Sequence, residues 1–298
     1  MYRVIIMNKL GFLTGTFATA LLCSTALAAD VSVSSSLPAV SGPNGKVELS
    51  AGWTEIDELD DSELLRGGLS FSFPVGDTFG IQADLAAVDA LGDTLYGGNL
   101  HFFARDPNSY LLGVTGGAGF ADDASIYYVG PEAEFYLDSL SIEAWAGYLH
   151  VDFDGASSSD EFFAFGDLAF YATDNLRLTL GASSIANFET AHVGLEWMMS
   201  DIGLPLSFTA DARIGEDDFI ALRAGISFYF GGEDKSLIRR HREDDPRNRS
   251  LDIFSAAGDA LVPEPEDAVP EEPDIGECPD GEVDIDPGPG ETCVDIIG

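Results

Sequence analysis

The chain has 298 residues, 45% of them hydrophobic, and carries 52 Asp and Glu against 14 Lys and Arg, a formal net charge of −38. So acidic a protein repels phosphates, which excludes nucleic acid as a partner, and its wealth of apolar residues excludes a wholly disordered chain. After the N-terminal segment no stretch reaches the roughly 20 apolar residues of a membrane-spanning helix, so any crossing of a membrane has to be made with strands.

Arg3 and Lys9 precede an apolar run from Leu10 to Leu22, and Ala26-Leu27-Ala28 supplies the small-x-small pattern of a cleavage site. This predicts a signal peptide over 1–28, and therefore export. Leu22, the residue before Cys23, is too large for lipoprotein processing. Residues 29–45, with Pro38 and Pro43, are expected to be a short lead-in.

From Lys46 to Phe230 the hydrophobic period is close to two, and twelve strands are predicted. The first covers Val47–Trp53. In the second, Leu65, Gly67, Leu69, Phe71 and Phe73 oppose Arg66, Ser70 and Ser72; in the third, Phe79, Ile81, Ala83 and Leu85 oppose Gln82 and Asp84. Tyr96–Ala104, Tyr110–Gly117, Tyr127–Phe135, Ser141–Leu149 and Phe162–Phe170 follow the rule less purely. The ninth sets Leu176, Leu178, Leu180 and Ala182 against Arg177, Thr179 and Ser183, and Ala191–Trp197 is the tenth. In the eleventh, Leu206 to Ile214 alternate with Ser207, Thr209, Asp211 and Arg213; in the twelfth, Ile220 to Phe230 alternate with Arg223, Gly225, Ser227 and Tyr229.

Alternation alone also suits a soluble periplasmic or surface β-sandwich that binds a ligand, which is the alternative reading. Three features favour an all-β, closed antiparallel transmembrane barrel. The apolar face is nearly free of charge. Aromatic residues stand near strand ends, where interfacial girdles form: Trp53, Phe73, Phe79, Tyr96, Tyr110, Phe135, Phe162, Tyr171, Trp197, Phe219 and Phe230. Compact turns such as Pro74-Val75-Gly76-Asp77 and Thr173-Asp174-Asn175 alternate with longer acidic connections around Glu55–Glu63, Asp152–Glu161 and Glu216–Asp218. That contrast predicts short periplasmic turns, outward-facing loops and both chain ends in the periplasm.

The turn Tyr171-Ala172-Thr173-Asp174-Asn175-Leu176, continued by Leu178, Leu180 and Gly181, and the closing Phe228-Tyr229-Phe230 resemble porin-like outer-membrane barrel proteins of Gram-negative bacteria. The resemblance implies outer-membrane lipids as surroundings and recognition of the strand ending at Phe230 by the barrel-assembly machinery. Those barrels usually end at the Phe, whereas here the chain runs on through Gly231–Gly298.

Parity places Glu48, Asp84, Glu132, Glu134, Glu143, Asp167, Glu196 and Asp211 in the lumen with Arg66, Arg105, Arg177, Arg213, Arg223, His101 and His192. Two outcomes are open for these pore-lining candidates. One is a small porin with a mild cation preference, aided by acidic loops; the other is an occluded structural barrel in which opposite charges pair, since buried charge is costly alone. An outer-membrane hydrolase is the lesser alternative. His101 is followed by Phe102-Phe103 and His192 by Val193-Gly194, so the His-x-Ser of outer-membrane phospholipase A is absent, and no catalytic residue is assigned.

The tail divides in two. Residues 231–259 include Lys235, Arg239, Arg240, Arg242, Arg247 and Arg249 among acids, which reads either as a solvated mixed-charge linker or as a segment docking onto acids at the periplasmic mouth. Residues 260–298 are acidic and Pro-rich, expected to be largely disordered, with one disulfide between Cys278 and Cys293. Asp280, Glu282, Asp284 and Asp286 alternate in the manner of calcium ligands without matching the twelve-residue calcium loop. No cofactor is otherwise implied.

Overall fold

The computed structural model describes residues 37–260, apart from 56–61, 91–92, 155–156, 200–202, 217, 232–233 and 245, together with 282–284 and 293–295. The signal peptide lies outside this set, as do Cys278 of the expected disulfide and Asp280 and Asp286 of the calcium-like run.

Twelve strands succeed one another in chain order: β1 (Asn44–Glu55), β2 (Ser62–Val75), β3 (Phe79–Ala90), β4 (Asp93–Asp106), β5 (Tyr110–Phe120), β6 (Ala124–Leu137), β7 (Leu140–Phe153), β8 (Ser159–Thr173), β9 (Leu176–Ile185), β10 (Phe188–Met198), β11 (Leu206–Gly215) and β12 (Ile220–Gly231). Each pairs antiparallel with its sequence neighbours, and β1 closes the sheet on β12 from Asn44↔Gly231 to Glu55↔Ile220. The architecture is a closed barrel of the predicted strand number. A sandwich would leave four edge strands, whereas closure leaves none, and the sandwich alternative is overturned.

Asn44 and Gly231 share one end, the near mouth, with the connections 76–78, 107–109, 138–139, 174–175 and 199–205. The far mouth has 56–61, 91–92, 121–123, 154–158, 186–187 and 216–219. The expected difference in loop length is therefore absent. Ala186 and Asn187, both at positive φ (49° and 68°), even make a two-residue hairpin turn at the far mouth. What separates the ends is the number of acids: the far connections include Asp122-Asp123, Asp154, Glu216 and Asp218 besides those of 56–61, the near ones Asp77, Asp138, Asp174 and Asp201, and neither set has Lys or Arg.

The outer surface is layered. Leu49, Leu85, Leu100, Val114, Val129, Leu180 and Val193 form a middle band, each more than half exposed. Aromatic residues flank it: Phe73, Phe79, Phe102, Phe135, Phe170 and Trp197 toward the near mouth, and Trp53, Tyr96, Phe120, Tyr127, Tyr148 and Phe162 toward the far one. Phe79 stacks on Phe102 at 5.5 Å and Tyr148 meets Phe162 edge-on at 6.0 Å. Two members of the expected girdle point elsewhere. Tyr171 has lumen parity and bonds inside the barrel, and Phe219 folds under its turn against Phe188.

After Gly231 the chain turns back. α1 (Leu237–Glu243) lies at the near mouth and α2 (Arg249–Ala260) runs up the inside of the barrel, with Arg249, Ser250, Ile253 and Phe254 almost wholly buried. The linker reading of 231–259 is thereby replaced by two docked helices. Asn248 caps α2, its Oδ1 accepting the Leu251 N–H at 3.0 Å. Separately, β13 (Glu282–Asp284) and β14 (Cys293–Asp295) form a short antiparallel pair in a unit of their own.

The exterior layering gives a direct test. Leu100→Arg places a charge in the middle of the band and is expected to destabilise the barrel by about 2–4 kcal/mol in lipid vesicles, against about 0–1 kcal/mol for Phe162→Arg near the rim. Equal effects, read from denaturant titration of folding, would contradict a membrane-embedded belt.

Candidate functional site: the filled lumen

All the parity-assigned side chains lie on the inward face, from Glu48 on β1 to Arg223 on β12. They do not line an open channel; most meet one another or the returning tail. The near mouth is sealed first. Arg105 donates to the Ala39 carbonyl and to the Asp244 carbonyl, each at 2.6 Å, while the Ser41 N–H reaches the Glu243 carbonyl at 2.8 Å. Lys235 pairs with Asp244 at 2.6 Å and Glu243 at 3.2 Å. Leu237 packs among Tyr171, Met198 and Tyr229, and its N–H is received by Asn175 Oδ1 at 3.1 Å.

Just inside, His241 lies between the Tyr171 and Tyr229 hydroxyls at 2.9 and 3.0 Å, with Glu196 at 3.4 Å. The Arg242 guanidinium lies over the rings of Tyr136 and Tyr171 and donates to the Leu140 carbonyl at 3.0 Å. The Pro246 carbonyl accepts from Gln82 at 3.1 Å and Lys46 at 3.3 Å. Arg247 then bridges Asp167 at 2.5 Å and Asp252 at 2.8 Å, and His192 holds the other oxygen of Asp167 at 2.9 Å.

Midway up the barrel is the tightest cluster. His101 places one ring nitrogen 2.8 Å from Asp84 and the other 2.8 Å from Glu132. The tail adds to the same carboxylates: the Arg249 backbone N–H donates to Asp84 at 3.2 Å and its Nε faces Glu132 at 3.5 Å, with the guanidinium above the Trp145 ring. Ser250 bonds to Asn99 and meets the Tyr128 hydroxyl at 3.2 Å. Thus two strand carboxylates, one imidazole and one helix arginine are brought together as ion pairs in a space closed to water. In so dry a setting, removing one member leaves the others uncompensated, at about 3–5 kcal/mol.

Above this cluster the lumen wall is apolar. Trp145, Phe163 and Phe165 stack at 4.5–5.4 Å, and Leu64, Val88, Leu95, Ile126 and Leu149 are buried beside them. Of these, Leu95 borders Gly119 beside Phe254 of α2, and Trp145 lies under the Arg249 guanidinium. Gly68 and Gly119 make room for α2, since a Cβ at either would lie 2.5 Å from Leu251 Cδ1 or Phe254 Cε1. A cavity of about 180 Å³ remains on the β9–β12 side, with Arg66, Arg213 and the ion pair of Arg223 with Asp211 in its lining. Glu143 is paired with Arg177 at 2.6 Å, and Glu134 accepts from Tyr136 at 2.9 Å.

Several contributors were not among the candidates named from the sequence: Lys46, Asn99, Thr115, Asn248, Ser250 and Asp252, with Gln82 from the polar face of β3, complete the networks. One signal for them was present. Phe102-Phe103, Phe162-Phe163-Ala164-Phe165 and Ala86-Ala87-Val88 are apolar on both parities, which a strand facing lumen water cannot be. As for catalysis, Thr115 Oγ1 does stand 2.8 Å from His101, but both ring nitrogens are engaged by carboxylates, leaving no free lone pair to take its proton.

No protein-family model and no curated protein matches the chain. Among solved structures it is similar in fold to a KdgM porin in complex with disordered oligogalacturonate, at 9% identity over 62% of this chain and 99% of that one, TM-score 0.48. The NanC porin gives 9% identity over 61% and 98%, TM-score 0.47. An outer membrane channel from Pseudomonas putida F1 gives 11% identity over 68% and 100%, TM-score 0.48. These neighbours are outer-membrane porins and channels.

Two outcomes are expected from these contacts. Arg249→Ala should release α2, raising amide hydrogen exchange over 249–256 by at least tenfold; unchanged protection would contradict the anchoring role. At the near mouth, burial raises the Glu243 carboxyl but hydrogen bonds from Arg239 and Lys235 outweigh it and hold the group below its ordinary value. A lowered native value stabilises above the unfolded pKa of about 4.3 and is lost as pH falls through the native one. Glu243→Gln is therefore expected to melt lower than the parent at pH 7 and to lose less on acidification to pH 3; equal losses would contradict the assignment.

Proposed function

We propose that the chain is an outer-membrane β-barrel whose lumen is closed by its own segment 235–260. The observation that carries this reading is α2 itself, buried against β2–β5 with its arginine in the His101 cluster. The external belt, apolar in the middle and aromatic at both rims, supports residence in a bilayer. The signal peptide read from the sequence supports the outer membrane, with Asn44 and Gly231 facing the periplasm. Outward Phe228, and Phe230 set edge-on to Phe71 at 5.5 Å, support recognition of β12 by the assembly machinery.

The barrel is then an occluded channel: the tail supplies cations to lumen carboxylates that would otherwise attract them from solution. The acidic far mouth, without Lys or Arg in its connections, supports a preference for cations in whatever current flows when the segment is absent.

Planar-bilayer recording tests this. The full chain is expected to give no resolved steps, and the chain ending at Asp234 to give cation-selective steps. Arg247→Ala combined with Arg249→Ala in the full chain should open in the same direction, which guards against a truncated barrel that fails to fold. Equal conductance in full and shortened chains would overturn the proposal.

A further inference from the structure

We propose that the cavity on the β9–β12 side of the lumen binds a small oxyanion of the phosphate type, held between Arg66 and Arg223 with Arg213 beside them. This goes beyond the reading above: it rests on α2 lying in the lumen, but not on whether the barrel conducts.

The cavity exists because α2 packs against β2–β5 while the facing wall turns short side chains inward, Ser50, Gly194 and Thr209 among them. Its volume of about 180 Å³ is far above the ~10–15 Å³ that one water requires. Strand register places the cations on this wall. Arg66, Ser50, Gly225 and Thr209 stand in one row across β2, β1, β12 and β11. Gly52, Arg223, Asp211 and Gly194 form the next row, and Ala221, Arg213 and His192 the third. Rows two residues apart are separated by about 6.6 Å at ~3.3 Å per residue, so three long guanidinium side chains border one space.

One of these cations has no counter-ion of its own. The other carboxylates of the lining are engaged: Glu143 by Arg177 at 2.6 Å, Glu196 by the Tyr229 hydroxyl at 2.6 Å and Glu134 by the Tyr136 hydroxyl at 2.9 Å. Glu48 faces Lys46 at 3.9 Å, and Asp252 is held by Arg247 and Arg249 at 2.8 and 3.1 Å. That leaves Asp211, whose Oδ1 accepts from both Nε and Nη2 of Arg223. Arg66 forms no ion pair or side-chain hydrogen bond among the described residues, and its Nε is buried without a partner. The carboxylates that act on it most, Asp211 and Asp252, are the ones already held by other arginines. Arg223, only 6% exposed, keeps a second buried nitrogen without a partner, Nη1, and His192 likewise keeps Nδ1.

A buried cation without a counter-ion is costly, and guanidiniums meet oxyanions through paired, charge-assisted hydrogen bonds. Ser50 and Thr209 add hydroxyl donors to the same lining. Free phosphate and a phosphorylated headgroup share this chemistry, and the experiment separates them.

The full chain, refolded in lipid-free detergent and phosphate-free buffer, is titrated with inorganic phosphate and followed by calorimetry. Saturable binding of one phosphate per chain is expected, displaced by sulfate and not by chloride. Competition by glycerol 3-phosphate extends the site to phosphoryl groups of headgroup type; failure to compete confines it to the free ion. Arg66→Gln is expected to weaken phosphate binding about tenfold, the scale of one lost hydrogen bond to a charged group. Asp211→Asn, which removes the competing carboxylate, is expected to tighten it. Arg239→Gln removes an equal charge at the near mouth and should change nothing. Absence of saturable binding, or an equal loss in Arg66→Gln and Arg239→Gln, overturns the site. Should Arg66→Gln fail to fold, Asp211→Asn decides: unchanged or weaker binding contradicts the arrangement. Amide exchange over 249–256 is read on the same samples. Protected amides without phosphate binding overturn the site and leave the closed lumen standing, whereas unprotected amides overturn both.

Discussion

Carboxylates on the inner face of a narrow barrel have to be hydrated or matched, and in this protein the match comes from the chain's own continuation. Asp84, Glu132 and Asp167 sit on three different strands, and each receives a group from the segment 247–249 as well as a histidine from the barrel. The arrangement ties α2 to β3, β6 and β8 at once. Because burying charge is unfavourable unless every partner is present, these contacts are strongly interdependent. Sealing of the near mouth by α1, and packing of Phe254 on Gly119 higher up, both depend on that central cluster fixing the depth of the helix.

The barrel was legible because its signal is redundant. Twelve strands repeat the same two-residue alternation, and outward Leu, Val and Phe are distinguished from inward Arg, Asp and His at nearly every step. The plug was legible only in part: the arginines of 231–259 suggested docking on acids at the mouth, but a helix inside the lumen was not legible, for reasons visible in particular residues. α2, with sequence Arg249-Ser250-Leu251-Asp252-Ile253-Phe254, is too short and too charged to announce itself as a core helix, and its stability comes from tertiary partners that sequence spacing does not reveal. Tyr171 was misplaced because a terminal aromatic on the inward parity looks like a girdle residue until the tail is present to receive it. Phe163, Phe165 and Trp145 were the overlooked clue, since apolar residues on both faces of neighbouring strands require something apolar inside.

The two mouths differ in their contacts and in their charge. At the near mouth residues 37–43 and α1 close over the opening through main-chain and ion-pair contacts. The connections of the far mouth hold more acids than those of the near mouth, and neither set has Lys or Arg.

The central claim, that α2 occupies the lumen beside β2, is tested most directly by a disulfide trap. With Gly68→Cys and Leu251→Cys in the full chain lacking Cys278 and Cys293, the two thiols face each other across the space a single Cβ would nearly fill. The account predicts spontaneous intramolecular cross-linking in the folded, membrane-inserted protein, seen as protection of both thiols from alkylation until reduction. Two freely alkylated thiols in a barrel that still shows heat-modifiable migration would contradict it.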